Sequence, residues 1–551
     1  MSVHTVLPIR DSRFQQTLKR FRPWMMVVQW AIFCNFPNVS AEVQGLVAIG
    51  QDSRIDLKWS PSQTGGDRGY DIYRSPDGRD PFVKINDHPD VLPIYSDFIG
   101  ENNRKYFYRV AATGKGATPG TEAPAVVSAQ SREMTDDELL TSVQESTFRY
   151  FWDYAHPGSG LIRERSDYGR TCATGGTGFG LFALIVGAQR GFAPRAAVAE
   201  RTRAILSFLE DHARRFHGAF PHWIDGATGK TLPFSKFDDG ADLVETAFLV
   251  QGALAARQYF GGPDPVESEI RRRATALWEG VEWDWFLKDK GGKTLYWHWS
   301  PNFGWKKNLR IAGWNEGMIA YLLAIASPTH PIPADCYYQG WAGREGYANG
   351  KSYYNITQWV GRPLGGALFF TQYSFLGFDP RNKRDRFCDY FANSRNISLI
   401  DRDYCIENPG RHRGYGELVW GLTPSIGPDG YHVCSPGKHD DGTIAPTAAI
   451  GVMPYVPAES LASLKHLYRT YGNRLWGEFG FKDAFNLDRN WFANGWLAID
   501  EGPIIIMIEN YRTGLCWKMF MANPEIGPML KSIGWETTTG DDVVPNTTGV
   551  H

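Results

Sequence analysis

From about residue 136 to residue 530 the chain repeats one pattern: apolar side chains every three or four positions, then a break. That spacing lines one face of a helix, and each such face has to be buried against another element. The periodic stretches fall at 136–155, 177–190, 194–215, 240–260, 266–281, 311–326, 363–375, 383–394, 446–453, 458–471, 503–511 and 514–521. Gly191, Gly261 and Pro328 follow three of them as stop signals. The first opens on a capping box, with Thr135 as N-cap and Glu138 reaching back. Long loops dense in Trp, Tyr and Gly separate the helices at 286–308, 330–358, 408–445 and 475–500. The pattern predicts a mainly α domain over 131–540, and fits a toroid of paired helices whose loops build a cleft at one end. Periodicity alone leaves other helical arrays open.

The preceding segment, 42–130, has the other periodicity. Ile55-Asp56-Leu57-Lys58-Trp59 alternates apolar and polar, and so does Tyr70-Asp71-Ile72-Tyr73-Arg74 before the turn Ser75-Pro76-Asp77-Gly78. Phe82–Ile85 and Tyr106–Val110 continue it, so a small β-sandwich is expected. Its Trp59, Tyr70 and Tyr106-x-Tyr108 positions resemble a fibronectin type III module. No cluster of titratable residues marks it as catalytic, so it reads as an accessory module. A linker rich in Thr, Pro, Ala and Ser follows at 118–134.

Before both, Arg10, Arg13, Lys19, Arg20 and Arg22 lead into an apolar stretch from Trp24 to Phe36. Val39 and Ala41 then stand at the −3 and −1 places before Glu42. This order predicts a signal peptide over 1–41 and a mature chain that is periplasmic or secreted. A buried N-terminal helix is the alternative. Six cysteines would remain (Cys172, Cys336, Cys388, Cys405, Cys434 and Cys516), as readily buried thiols as disulfides.

Composition removes several classes. A net charge of −2 over 551 residues gives no field for a phosphate backbone, so nucleic acid is not an expected partner. No apolar run approaches the roughly 20 residues of a membrane span. The 20 Trp, 25 Tyr and 32 Phe favour large cores and sugar-stacking clefts. The usual nucleophile, nucleotide and zinc motifs are absent from the sequence.

Carboxylates in aromatic surroundings remain. Asp238, Asp242 and Glu245 stand four and three apart, within roughly 60° of each other if helical, where three acids repel unless something binds them. Glu316, next to Asn315 and Trp314 and before the apolar run Met318–Ile325, suits a carboxyl that keeps its proton. Asp500 and Glu501 precede a helix expected to begin at Pro503; they either face a cleft or cap that helix. His222 and the rings of Trp223, Trp297, Trp299 and Trp314 lie near these acids in sequence and are candidate sugar contacts.

These segments together carry a resemblance. Thr174-Gly-Gly-Thr-Gly-Phe-Gly, Asp242-Leu-Val-Glu-Thr-Ala-Phe-Leu and Gly313-Trp-Asn-Glu-Gly-Met-Ile-Ala-Tyr-Leu-Leu come first. Asp441-Gly-Thr-Ile-Ala-Pro-Thr-Ala-Ala, Asp483-Ala-Phe-Asn and Ile499-Asp-Glu-Gly-Pro-Ile-Ile follow in order. The chain from 137 to 530 is similar to the glycoamylase-like family that includes the bacterial β-1,2-glucanases of glycoside hydrolase family 144. The resemblance implies an (α/α)6 toroid, hydrolysis of a β-glucan with inversion, and no cofactor or obligatory metal. It places the proposed general acid on Glu316, a base candidate on Asp500 and the acidic cluster on Asp238, Asp242 and Glu245. Two rival classes are a polysaccharide lyase, with His222, His298 or Tyr373 as its base, and a non-catalytic glycan binder. Oligomeric state and linkage preference stay open.

Overall fold

The helical periodicity is realised as two concentric rings. The computed structural model describes residues 41–61, 69–113, 125–343, 346–437 and 439–538. Its helices are α1 (Asp136–Trp152), α2 (Thr174–Arg190), α3 (Arg195–Asp211), α4 (Leu243–Tyr259), α5 (Pro265–Glu279) and α6 (Met318–Ala326). They continue as α7 (Tyr390–Glu407), α8 (Pro446–Ile450), α9 (Pro457–Leu475), α10 (Ala498–Arg512), α11 (Leu515–Met521) and α12 (Ile526–Ser532).

Helices α2, α4, α6, α8 and α10 are apolar nearly all round and form the inner ring, completed by the 3-10 turns Leu368–Thr371 and Tyr373–Phe375. Gln372 closes the ring by donating from Nε2 to the carbonyls of Thr447 (3.2 Å) and Ala448 (3.1 Å). The outer members carry a single buried stripe. In α5 that stripe is Ile270, Ala274, Leu277 and Trp278, while Arg271, Arg272 and Arg273 face away. Each inner element is backed by an outer one, in the order α1, α3, α5, the π-turn Tyr337–Trp341, α7 and α9. This is the (α/α)6 toroid.

Glycine sets how closely the inner helices approach. A Cβ on Gly178 of α2 would stand 2.2 Å from the Phe248 carbonyl oxygen of α4, and one on Gly252 would stand 2.1 Å from the Gly178 carbonyl oxygen. The C-terminal ends of the inner elements are sealed by side chains. Trp517 Nε1 donates to Phe375 O (2.6 Å), Asn510 Nδ2 to Leu376 O (2.9 Å) and Asn523 Nδ2 to Leu254 O (3.1 Å). These donors satisfy carbonyls that the helices themselves leave free. The opposite, N-terminal ends receive the long loops, and the cleft opens there.

Several expected boundaries move, and the helix expected at 363–375 is reduced to the two 3-10 turns. The helix expected from 311 starts at Met318, because Gly313 takes φ +84° and Asn315 Oδ1 accepts the Gly317 N–H (2.8 Å), keeping 312–317 in turns. The stretch at 383–394 is a two-residue strand, Lys383–Arg384, before α7, which opens where Asp389 accepts the Ala392 N–H (2.9 Å). Helix α10 begins at Ala498, so Pro503 lies within it.

The N-terminal module has β1 (Ala41–Glu42), β2 (Gln44–Gln51), β3 (Arg54–Ser60), β4 (Tyr70–Ser75), β5 (Val83–Lys84), β6 (Ile94–Phe98), β7 (Lys105–Ala112) and β8 (Val127–Gln130). One sheet runs β1-β7-β4-β5 with β8 also on β7, and the other runs β2-β3-β6. Ile55, Leu57, Trp59, Ile72, Tyr108 and Val110 are buried between them. Strand β8 takes up part of the expected linker, pairing Val127–Gln130 with Lys105–Tyr108. The expected signal peptide lies outside the described residues, apart from Ala41 in β1.

The module is bolted to the toroid. Arg54, 1 % exposed, holds Asp56 with two nitrogens at 3.0 Å. It also donates to the Tyr468 hydroxyl (2.7 Å) and Ser142 Oγ (2.7 Å), and its guanidinium lies 4.5 Å from the Trp476 ring. Phe98 fits against Gly472 of α9, where a Cβ would come within 2.2 Å of its ring. The six cysteines among the described residues are free and buried.

Candidate active site

The N-terminal mouths of the inner helices bring the predicted acids together, though not on one helix face. Helix α4 starts at Leu243, and Asp242 is its N-cap: Oδ1 accepts from the N–H groups of Val244 (3.1 Å) and Glu245 (3.0 Å). Asp238 sits in the preceding loop. The antiparallel pairing of Ala241–Asp242 with His298–Trp299 sets His298 opposite Asp242. His298 Nε2 then lies 3.1 Å from Asp238 Oδ2 and 3.3 Å from Asp242 Oδ2. His222 Nδ1 reaches Asp242 Oδ2 at 3.1 Å, and Lys307 Nζ reaches Asp238 Oδ2 at 2.8 Å.

The expected repulsion among three acids is therefore corrected. Two histidines and a lysine compensate the two aspartates. Burial opposes charge on Asp242, but His298 and His222 overcome it and hold the carboxyl far below the usual range. Asp238 is likewise held down, against burial, by His298 and Lys307. Burial opposes the proton on His222 as well, yet Glu245 and Asp242 push it up to about 10. The third acid differs. Glu245 Oε2 accepts the Gly175 N–H at the start of α2 (2.7 Å), and burial, with help from Asp242 and Glu164, raises its carboxyl to about 7.

Glu316 occupies the turn before α6. Its carbonyl accepts the Ser374 hydroxyl, and Ser374 Oγ also accepts the Ile319 N–H (3.1 Å), tying the turn to the neighbouring inner element. The Glu316 carboxyl is half-buried; burial, reinforced by Asp242, raises it to about 7 against the opposing Arg362. Trp314 lies behind it rather than in the cleft. At 2 % exposure its ring packs among Trp341, Phe375 and Tyr390. It offers sugar no face, and the expectation that it stacks on substrate is corrected.

Asp500 and Glu501 lie in the first turn of α10, both buried. Thr447 Oγ1 of α8 donates to the Asp500 carbonyl (2.7 Å). Asp483, unassigned by the sequence reading, joins them, with Oδ2 accepting the Ile426 N–H (2.6 Å). Its signal in the sequence is an aspartate between Phe481 and Ala484-Phe485 in an aromatic loop, where a solvated acid is out of place. Burial raises all three carboxyls; Asp483 raises Asp500 and Glu501 further, Glu501 also raises Asp500, and Asp500 in turn lowers Asp483.

Tyr373, also without an assigned role as a sugar contact, stands where the groups converge. Its ring packs on Phe179, Phe248 and Phe369. After burial, Asp500, Tyr431, Glu316 and Glu245 all oppose ionisation of its hydroxyl. Tyr431, 47 % exposed on the hairpin Ser425–Gly427/Gly430–His432, faces Asp500, Glu164, Asp483 and Glu316 from the rim.

Among the other predicted rings, Trp223, Trp297 and Trp299 are partly exposed. Trp223 meets Phe234 (4.8 Å between centroids), Trp297 stacks on His298 (5.8 Å, 8°), and Trp299 meets His217 edge-on (4.9 Å). Phe234, 40 % exposed and 4.2 Å from the His222 ring, is a further aromatic wall that the sequence reading did not single out. Among the described residues, two groups have ligand atoms close enough for a cation: His222, Asp238 and Asp242, and separately His432, Cys434 and Asp441. In the first, the Lys307 ammonium already supplies positive charge to Asp238.

Comparison with known proteins adds to this geometry. The Glycoamylase family model, described as a glucoamylase, matches residues 308–524. An exo β-1,2-glucooligosaccharide sophorohydrolase acting from the non-reducing end, from Parabacteroides distasonis, is 42 % identical over 91 % of this chain and 72 % of its own. A crystal structure of β-1,2-glucanase from Parabacteroides distasonis has a TM-score of 0.86 at 41 % identity, covering 90 % of this chain and 73 % of that one. An endo-β-1,2-glucanase from Chitinophaga pinensis, solved with sophorotriose and glucose, has a TM-score of 0.71 at 44 % identity, covering 74 % of this chain and 99 % of that one. The endo-β-1,2-glucanase of Talaromyces funiculosus, 11 % identical with a TM-score of 0.54, shares the fold.

Proposed function

Because the chain belongs to the glycoamylase-like family of glycoside hydrolases, we propose that it hydrolyses β-1,2-glucan or its oligosaccharides, with inversion, outside the cytoplasm. The observation that carries the chemistry is the contrast between Glu316 and its neighbours. Hydrolysis needs one carboxyl that gives a proton to the leaving oxygen and another group that takes one from water. Glu316, half-buried and raised to about 7, keeps a proton to give at neutral pH. Asp500, across the cleft on α10, is the base. In the ring, α6 and α10 are separated by the 3-10 element and α8, which supports a wide spacing with room for water, as inversion requires.

Asp238 and Asp242, charged and locked by His222, His298 and Lys307, bind sugar hydroxyls, while Glu245 shapes the same wall. Trp223, Trp297 and Trp299 supply stacking faces. The lyase reading loses its bases: the carboxylates around His222 and His298 favour their imidazolium forms, and burial with the surrounding acids keeps the proton on the Tyr373 hydroxyl. A binder without catalysis leaves a proton-holding Glu316 in the cleft unexplained. The basic, apolar, small-residue order of the N-terminus supports export.

The test is purified protein incubated with a panel of linear and cyclic β-glucans, with products separated by chromatography. β-1,2-Linked oligosaccharides released with the α-anomer formed first are the expected result. Products from another linkage alone, or β-anomers first, refute the respective part. Exported protein that still begins at Met1 refutes the signal peptide.

A further inference from the structure

Asp483 and Asp500 come from different elements, the strand-rich loop before α10 and the first turn of α10, and both are at most 3 % exposed. The two carboxyls lie near enough to hydrogen-bond to each other once one of them is protonated. Yet Asp483 Oδ1 and Asp500 Oδ2 are both buried without a conventional donor. Two ionised carboxylates offer only acceptors, so a hydrogen bond between them requires a proton. Among the described residues no lysine, arginine or histidine is ion-paired with Asp483, Asp500 or Glu501, in contrast to Asp238 and Asp242. Other groups facing the pair are Glu501, Glu164, Tyr431 and Tyr373, with Arg165 as the cation that favours charge on Asp483. Like charges in so dry a place cannot both ionise.

We propose that Asp483 and Asp500 share one proton, and that this singly charged pair, rather than Asp500 alone, is the base of the hydrolase. The inference rests on the reading of Asp500 as the base, and makes Asp483 its positioning residue. The Ile426 N–H on Asp483 Oδ2 favours the negative charge there, so the proton sits on Asp500 and points at Asp483. As water attacks the anomeric carbon, its proton passes to Asp500 while the proton already on Asp500 passes to Asp483. Glu316 gives its own proton to the departing oxygen as the glycosidic bond breaks. The pair ends with two protons and Glu316 with none, and exchange with solvent restores both. A second proton on the resting pair abolishes the base, which places the acid limb of the pH profile at the pair's second protonation; Asp483 is pushed up to about 6.

Asp483→Asn and Asp483→Ala test this through the pH dependence of kcat/KM. Without Asp483, Asp500 loses the partner held by Ile426 and carries its charge alone in a buried site. The acid limb then moves up by about one pH unit, further in the alanine variant, while the alkaline limb set by Glu316 stays. Activity at the optimum falls, but by less than the roughly hundredfold or greater loss expected for Asp500→Asn. An acid limb that stays in place or moves down in folded variants overturns the shared proton, and so does complete inactivity of Asp483→Asn at every pH. Asp500→Asn with wild-type turnover sinks the base assignment itself; an inactive Asp500→Asn with unmoved Asp483 limbs sinks only the sharing. Should neither Asp483 variant fold, infrared difference spectra of wild type against Asp500→Asn decide. A protonated-carboxyl band lost in that variant at neutral pH supports the pair, and no such band overturns it.

Discussion

Glu316 and Asp242 stand at the mouths of adjacent inner helices, and their opposite protonation comes from what touches them. Asp242 accepts two helix N–H groups and faces two imidazoles; Glu316 is raised by burial, which its own backbone N–H and Arg362 only partly offset. Glu316→Gln keeps the shape without the proton, so kcat on glucan is expected to fall about a hundredfold or more. A substrate with an activated leaving group should be largely spared; equal loss on both removes Glu316 from the acid role. The alkaline limb of kcat/KM should lie near pH 7, where Glu316 ionises. Glu245 makes a prediction for stability. Its folded carboxyl is raised above the unfolded value, so its contribution is full below the unfolded pKa and fades as pH rises toward about 7. Gln mimics the protonated form and does not titrate. Glu245→Gln should therefore lose less melting temperature than wild type between about pH 4.5 and 7; parallel melting curves across that window refute the assignment.

Elements decide how such residues meet, and here the sequence was readable to different depths. The capping box at Thr135 appears as expected, with Thr135 N–H on Glu138 Oε2 (2.9 Å) and Glu138 N–H on Thr135 Oγ1 (3.3 Å), because both partners are local. The acidic trio was legible as a cluster but not as geometry, since Asp242 acts as a cap and Asp238 sits outside the helix. Its compensating His298 and Lys307 lie some sixty residues away in sequence, beyond the reach of any local pattern. Asp483 was missed for the same reason: its partner belongs to another element. The Trp314 error came from reading proximity to Glu316 as exposure. Helix contact offers its own test. Gly178→Ala or Gly252→Ala places a methyl against backbone of the facing helix, and overpacking of this kind costs about 1–3 kcal/mol. Separation of α2 from α4 also strains the Gly175–Glu245 bond, so turnover should drop together with melting temperature. Unchanged melting would show that the two helices have slack.

At the scale of the molecule, the β-module and the toroid share buried polar groups rather than a loose surface. Arg54→Met leaves Asp56 charged at 1 % exposure, a loss of about 3–5 kcal/mol for a broken buried pair. A chain starting at residue 131 loses Arg54 and Asp56 together, leaving Trp476 and Tyr468 uncovered, so it should melt lower. The acids belong to the toroid, and that chain should still turn over short oligosaccharides. Complete inactivity while folded would bring the module into the site. The Arg54 anchorage has one more consequence. A domain on a slack tether raises the local supply of polymer and cares little where along the strand it grips. This one has no slack. A glucan that touched both parts would be measured as by a fixed caliper, a whole number of sugar repeats between jaw and blade. Any influence of the module on product length should therefore come in steps of one glucose unit rather than as a smooth gain with chain length.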